Sequence, residues 1–230
     1  MQIKILQQIE GAKKAKGLTV IIDVFRAFSL EAYMFAGGVK KIFPVGKSEL
    51  AYDLKAKNPD YILAGERGGA ILPGFDIGNA PCDLYKLQLQ GKTIVHTTSA
   101  GTQGVDNAVF ADQILGCSLV NARATANYIK KQNPKQVSLV CMGLAGVEPT
   151  DEDTLCARYI KAILDGEEDK IDMPNEIEKL KLTSGAKFFD PEQQSVFPKA
   201  DFALCTQVDK FDFVMRLTKS DDGLNFMLKI

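Results

Sequence analysis

The chain contains no tryptophan and one histidine, His96. A single imidazole cannot supply the nitrogen ligands of a typical zinc site, and the cysteines do not make up the deficit. Cys82, Cys117, Cys141, Cys156 and Cys205 are odd in number, scattered, and form no Cys-x-x-Cys. That pattern excludes a disulfide framework and suits a reducing, cytoplasmic compartment. Charge of one sign is also lacking: 28 basic and 29 acidic residues leave a net charge of −1. No basic face is implied, which argues against a nucleic-acid partner. No apolar run approaches the roughly 20 residues that span a bilayer, so no membrane partner is expected. The opening "MQIKILQQIEGAKKAKG" has no uninterrupted apolar region of the signal-peptide kind. Linkers rich in Gly or Ser are missing as well. One compact unit over 1–230 is therefore expected, long enough at 230 residues to bury a sizeable core.

What is present is an internal repeat, over about 17–70 and 91–146. "GLTVIIDVFRAF" and "GKTIVHTTSAGT" both open Gly-x-Thr, continue with an apolar run and turn polar, placing Asp23 opposite Thr97. Farther on, Asn58-Pro59 falls opposite Asn133-Pro134. Each unit reads as strand, helix, strand, helix, strand. The first unit predicts 18–23, 27–37, 40–44, 47–57 and 60–64. The second predicts 92–97, 101–110, 112–116, 121–132 and 136–141. Apolar strands alternating with helices indicate an α/β sheet covered on both faces. It is expected to be mixed and largely parallel, built from two similar βαβαβ halves. A closing segment over 164–230 should add a helix within "DGEEDKIDMPNEIEKLKLTSG" and one or two strands within "ADFALCTQVDKFDFVMRL".

Open α/β sheets bind ligands beyond the carboxyl ends of their strands. The predicted ends are Asp23–Arg26, Ala64–Asn79, Thr97–Thr102 and Cys141–Asp153, and there the polar residues and glycines collect. "DVFRAFS" offers Asp23 for a hard cation and Arg26 for an oxyanion, or simply an ion pair at a helix start. "LAGERGGAILPGFDIGNAP" sets Glu66 beside Arg67, then brings Asp76 and Asn79, with glycines that permit close backbone approach. The plainer use of Asp76 and Asn79 is turn stabilisation. "TTSAGT" gives Thr97, Thr98, Ser99 and Gly101 just before a helix, suited to a phosphate or to N-capping. Glu148, Asp151, Glu152 and Asp153 crowd the start of another helix, where capping accounts for one or two acids and leaves room for one that could face a metal. His96 reads as a core residue on a buried strand. Cys141 is followed by Val147 where a cysteine phosphatase loop needs arginine, and no DxDxT or RHG run points to a covalent phosphoenzyme.

Taken together, "VIIDVFRAFS", "LAGERGGAILPGFDIGNAP", "KTIVHTTSAGT", "SLVNARATANYI", "EDTLCARYI" and "ADFALCTQVDKFDF" resemble the 2-phosphosulfolactate phosphatase (ComB) family, in order over about residues 17–213. The resemblance implies a three-layer α/β/α fold and a Mg²⁺-dependent phosphoric monoester hydrolase. Its substrate would be 2-phospho-3-sulfolactate or a related small phosphoester, a step of coenzyme M biosynthesis. Asp23, Arg26, Glu66, Arg67, Asp76, Asn79, Thr97, Thr98 and Gly101 match the family pattern. Phe25, Phe28 and Ser99-Ala100 depart from it, and Phe28 and Ala100 are expected to alter substrate contacts. On this reading Asp23, Glu66 and Asp76 are the catalytic and metal-binding acids. Arg26, Arg67, Asn79, Thr97, Thr98, Ser99 and Gly101 hold the substrate. The competing class is a non-catalytic sensor of phosphorylated or sulfonated acids. A homodimer is the expected assembly.

Overall fold

The computed structural model describes residues 1–220 and 223–230. Ten strands form one sheet. They are β1 (Gln2–Gln7), β2 (Gly17–Ile22), β3 (Lys41–Pro44), β4 (Ile62–Arg67), β5 (Ala70–Ile71), β6 (Thr93–Thr97), β7 (Ala111–Cys117), β8 (Gln136–Cys141), β9 (Met215–Lys219) and β10 (Asn225–Lys229). The helices are α1 (Gln8–Ala12), α2 (Ala27–Ala36), α3 (Ser48–Lys57), α4 (Gly101–Asn107), α5 (Ala122–Gln132), α6 (Asp151–Asp165), α7 (Met173–Leu180) and α8 (Lys199–Cys205). The strand order is β1-β8-β2-β7-β9-β10-β3-β6-β4-β5.

The expected elements of both repeat units are present, but their strands are exchanged. β2 opens the first unit, yet pairs in parallel with β7 and β8 of the second. β6 opens the second unit and pairs in parallel with β3 and β4 of the first. Neither unit therefore holds a complete sheet of its own. The antiparallel pair β9–β10 joins the two groups, β9 pairing with β7 and β10 with β3.

Strand alternation supplies both faces of the sheet. Leu18, Val20 and Ile22 pack with Ala126 and Ile129 of α5 and with Leu155 and Ile160 of α6. Ile21 and Val140 face the other way, onto Phe28 and Leu30 of α2 and Val105 of α4. Phe43, Leu63 and Val95 cover Ala51 and Leu54 of α3. The result is α/β with helices on both faces of a mixed, mostly parallel sheet.

Two expectations need correction. The stretch beginning Ala200 was predicted as strand, but its first part is helix α8. Asp201, Phe202 and Cys205 are its buried residues, a helical spacing, and only Met215 onward is strand. Phe28, expected to alter substrate contacts, is packed into the core and is not part of the cavity wall. It is wholly buried, and its ring fills the space that a side chain at Gly116 would need. Strand β1, which pairs with β8 at the sheet edge, had no counterpart in the sequence reading, although Ile3 and Ile5 alternate with polar residues. Among the described residues, no helix is long and apolar enough to cross a membrane.

Candidate active site

Asp23 follows β2 directly. Its backbone N–H donates to the Cys117 carbonyl, while Met142 N–H donates to the Ile22 carbonyl. The turns after β2, β7 and β8 are thus locked side by side. Glu66 and Ser99 come from the other strand group, at the ends of β4 and β6. The two groups meet at Gly101. A Cβ there would lie 2.9 Å from Asp23 Oδ2 and 2.7 Å from Ala27 Cβ, so only glycine lets α4 begin against Asp23 and α2.

At this junction lies a cavity of about 300 Å³, walled by Asp23, Arg26, Glu66, Asn79, Ser99 and Glu152, with Lys187 and Phe197 contributed by the closing segment. Glu66 organises one side. Its Oε1 accepts the Ser99 N–H at 2.7 Å, and its Oε2 accepts the Gly69 N–H at 2.6 Å and the Ser99 hydroxyl at 3.2 Å. One carboxylate therefore sets two loops, and Gly69 can turn under it with φ +87°. Val196 and Phe197 close over Gly69, with Phe197 Cζ 2.8 Å from where its Cβ would be.

Arg26 lies under the same cover. Its Nη1 donates to Asp201 Oδ2 and to the Val196 carbonyl, each at 2.9 Å, and its guanidinium lies 5.0 Å from the Phe197 ring centre. The Phe25–Arg26 peptide bond is cis.

Burial raises two acids of the cavity wall, Asp23 and Glu152. Burial, reinforced by the Glu152 and Glu66 carboxylates, pushes the Asp23 carboxyl up to about 6, against a hydrogen bond from Ala27 N–H that favours its charged form. Burial also raises Glu152, whose Oε2 is enclosed without a hydrogen-bond partner. Asp153, next to it, is raised well above the carboxylate range by burial and by Glu152. It accepts the Val24 and Gly143 N–H groups and so ties the β2 turn to the β8 turn. Lys187 is the balancing cation, lowered by burial but attracted to Glu152 and Asp23.

The structure brings together Asp23, Arg26, Glu66, Asn79 and Ser99, with Gly101 against Asp23. Other residues singled out in the sequence lie elsewhere. Asp76 turns back to accept the Leu63 N–H at 2.7 Å and stands 3.7 Å from Lys55, outside the cavity wall. Arg67 donates to the carbonyls of Glu66 and Gly46 and to Thr97 Oγ1, stapling β4 to the turn after β3. Thr97 and Thr98 are buried, and Thr98 exchanges hydrogen bonds with Thr102 across the first turn of α4. Of the four acids near α6, Glu148 and Asp151 are exposed and only Glu152 walls the cavity. Lys187 and Phe197 had no sequence signal, because the closing segment reaches the site only through tertiary packing. Cys141 is buried, its thiol pushed up by that burial, and it donates to the Asp153 carbonyl.

The motifs at this junction are matched by a family model described as 2-phosphosulpholactate phosphatase, over residues 3–220. The chain belongs to the 2-phosphosulpholactate phosphatase family. It is 32% identical over 225 residues, 96% of each chain, to a probable 2-phosphosulfolactate phosphatase of Bacillus subtilis (strain 168). A protein of the same description from Carboxydothermus hydrogenoformans is 37% identical over 177 residues, 76% of this chain and 72% of its own. One from Caldicellulosiruptor saccharolyticus is 40% identical over 146 residues, 61% of this chain and 59% of its own.

Proposed function

We propose that this cavity hydrolyses the phosphomonoester of a small, strongly anionic hydroxy acid, 2-phospho-3-sulfolactate or a close relative, with Mg²⁺ as cofactor. The carrying observation is one cavity in which Asp23, Glu66 and Glu152 stand with Arg26 and Lys187, in a chain of this family. A bare anion site would not gather three carboxylates, because they repel its ligand. This disfavours the reading as a non-catalytic sensor.

The donor set suits a hard cation. Mg²⁺ needs only one or two carboxylates, with water and substrate oxygens completing its shell. Among the described residues, no three Asp, Glu, Cys or His side chains already form a group able to hold a metal. Asp23 and Glu66 are the acids assigned to it, Asp76 being outside the wall. When bound, the ion would offset charge on the phosphoryl group and acidify a nearby water.

The chain's own residues supply the rest. Arg26 and Lys187 hold the phosphoryl, sulfonate or carboxylate oxygens, while the Asn79 amide and the Ser99 hydroxyl orient them. The water oxygen bonds to phosphorus as the ester P–O bond breaks. The proton leaving the water passes to the Glu152 carboxylate, which then returns it to the departing hydroxy-acid oxygen and ends the cycle ionised as it began. The site sits in a soluble cytoplasmic enzyme on this reading.

Phosphate release from 2-phospho-3-sulfolactate and a panel of phosphorylated hydroxy acids tests the proposal, with Mg²⁺ and with chelator. Release that needs Mg²⁺ and is fastest with the sulfonated substrate is expected. No release from any substrate, with tight binding retained, would restore the sensor reading.

A further inference from the structure

We infer that Glu31 and His96 form a buried carboxylate–imidazolium pair that fixes the Asn79 side chain with its N–H groups toward the cavity. This rests on the anion-binding role proposed above for Asn79.

Helix α2 is buried along most of its length, and a carboxylate in its middle is costly unless something compensates it. Glu31 is wholly enclosed. Its Oε1 lies 2.8 Å from His96 Nδ1, and its Oε2 has no hydrogen-bond partner. His96 is wholly enclosed too, and its Nε2 lies 3.3 Å from Asn79 Oδ1. A neutral imidazole carries one donor and one acceptor. With Glu31 ionised, both atoms facing this ring are acceptors, a carboxylate oxygen and an amide oxygen, so both ring nitrogens carry hydrogen. The positive ring then compensates Glu31.

Asn79 is the outlet. With Oδ1 committed to His96, its Nδ2 has no acceptor among the described residues, and the side chain walls the cavity. Two N–H donors are thus left for an oxyanion. With a neutral ring the amide would turn over, donate to the bare Nε2, and present Oδ1 to the anion instead. The charge state of a ring sealed in the core thereby decides whether the cavity wall offers donors or an acceptor. Glu31 and His96 are positioning residues, and neither touches substrate.

His96 is the only histidine in the chain, so ¹⁵N-histidine labelling of the unaltered protein reports this ring alone. Two protonated ring nitrogens at neutral pH are expected. Titration with inorganic phosphate, with Mg²⁺ present, gives the second readout. Glu31→Gln should convert the ring to its neutral signature and weaken phosphate binding about tenfold, the order expected for a hydrogen bond to a charged group. Asn79→Ala should weaken it similarly, and the double variant no further than Asn79→Ala alone. A neutral ring in the unaltered protein overturns the inference and needs no variant to fold. So does a folded Glu31→Gln protein that binds phosphate unchanged. If the unaltered protein binds no phosphate, the anion reading of the cavity fails and takes the inference with it. A neutral ring beside intact phosphate binding refutes the inference alone.

Discussion

Arg26 Nη1 lies 2.9 Å from Asp201 Oδ2, with both side chains all but sealed from water. Asp201 also accepts the Cys82 N–H through its other oxygen. The closing segment therefore holds the arginine that the first repeat unit brings to the cavity. Asp201→Ala leaves a buried guanidinium without its partner, a change that typically costs about 3–5 kcal/mol. Urea unfolding should show this loss, and in whatever folded fraction remains KM should rise more than kcat falls.

Asp23 gives a pH signature. Its folded carboxyl titrates near 6 because burial and neighbouring acids oppose ionisation. The unfolded chain releases that proton near the ordinary carboxylate value, so between about pH 4 and pH 6 the folded state binds the extra proton. Stability linked to Asp23 is therefore full at low pH and lost as pH rises through 6. For the metal-free protein the loss is about 2–3 kcal/mol. Asp23→Asn should remove this component, making the variant more stable than the parent at pH 7 by denaturant unfolding in chelator. The same variant should lose Mg²⁺-dependent turnover. Full Mg²⁺-dependent activity in Asp23→Asn would refute the metal assignment.

Lys187 is the cavity's second cation, delivered by the closing segment. Lys187→Ala should raise KM for an anionic substrate roughly 10- to 100-fold, the scale of a lost hydrogen bond to a charged group. Lys187→Arg should recover part of it. Steady-state kinetics against the concentration of substrate settles the matter, since an unchanged KM in Lys187→Ala would remove this residue from the site.

Asp76 offers the opposite expectation. It accepts the Leu63 N–H and stands outside the cavity. Asp76→Ala should leave kcat/KM within about twofold while costing about 1 kcal/mol of stability, the usual value of one such hydrogen bond. A large fall in turnover with normal stability would return Asp76 to the catalytic set.

Much of this protein was legible in one dimension. The apolar run Leu18–Ile22 and the matching run Thr93–Thr97 are strands because a buried sheet needs continuous apolar sequence. The helices between them follow from local patterning. Helix α8 was misread because "ADFALC" is short and apolar, and a short apolar run fits strand or helix until its buried face is known. Within the site, Asp23, Glu66 and Asn79 announced themselves by lying in polar, glycine-bearing turns. Glu152 was one of four acids within six residues, and nothing local distinguishes the one that walls the cavity.

The sequence by itself determined the kinds of element, their order, and the motifs that mark the family, since these depend on residues near one another in the chain. Only the tertiary structure decided that each repeat unit lends its first strand to the other, which sets Asp23 against Gly101 and Ser99 beside Glu66. It also decided which acids face the cavity. Asp76 finds the Leu63 amide and turns away, whereas Glu152 is buried with an oxygen unmatched, and a side chain's choice of partner depends on what distant segments bring within about 3 Å of it.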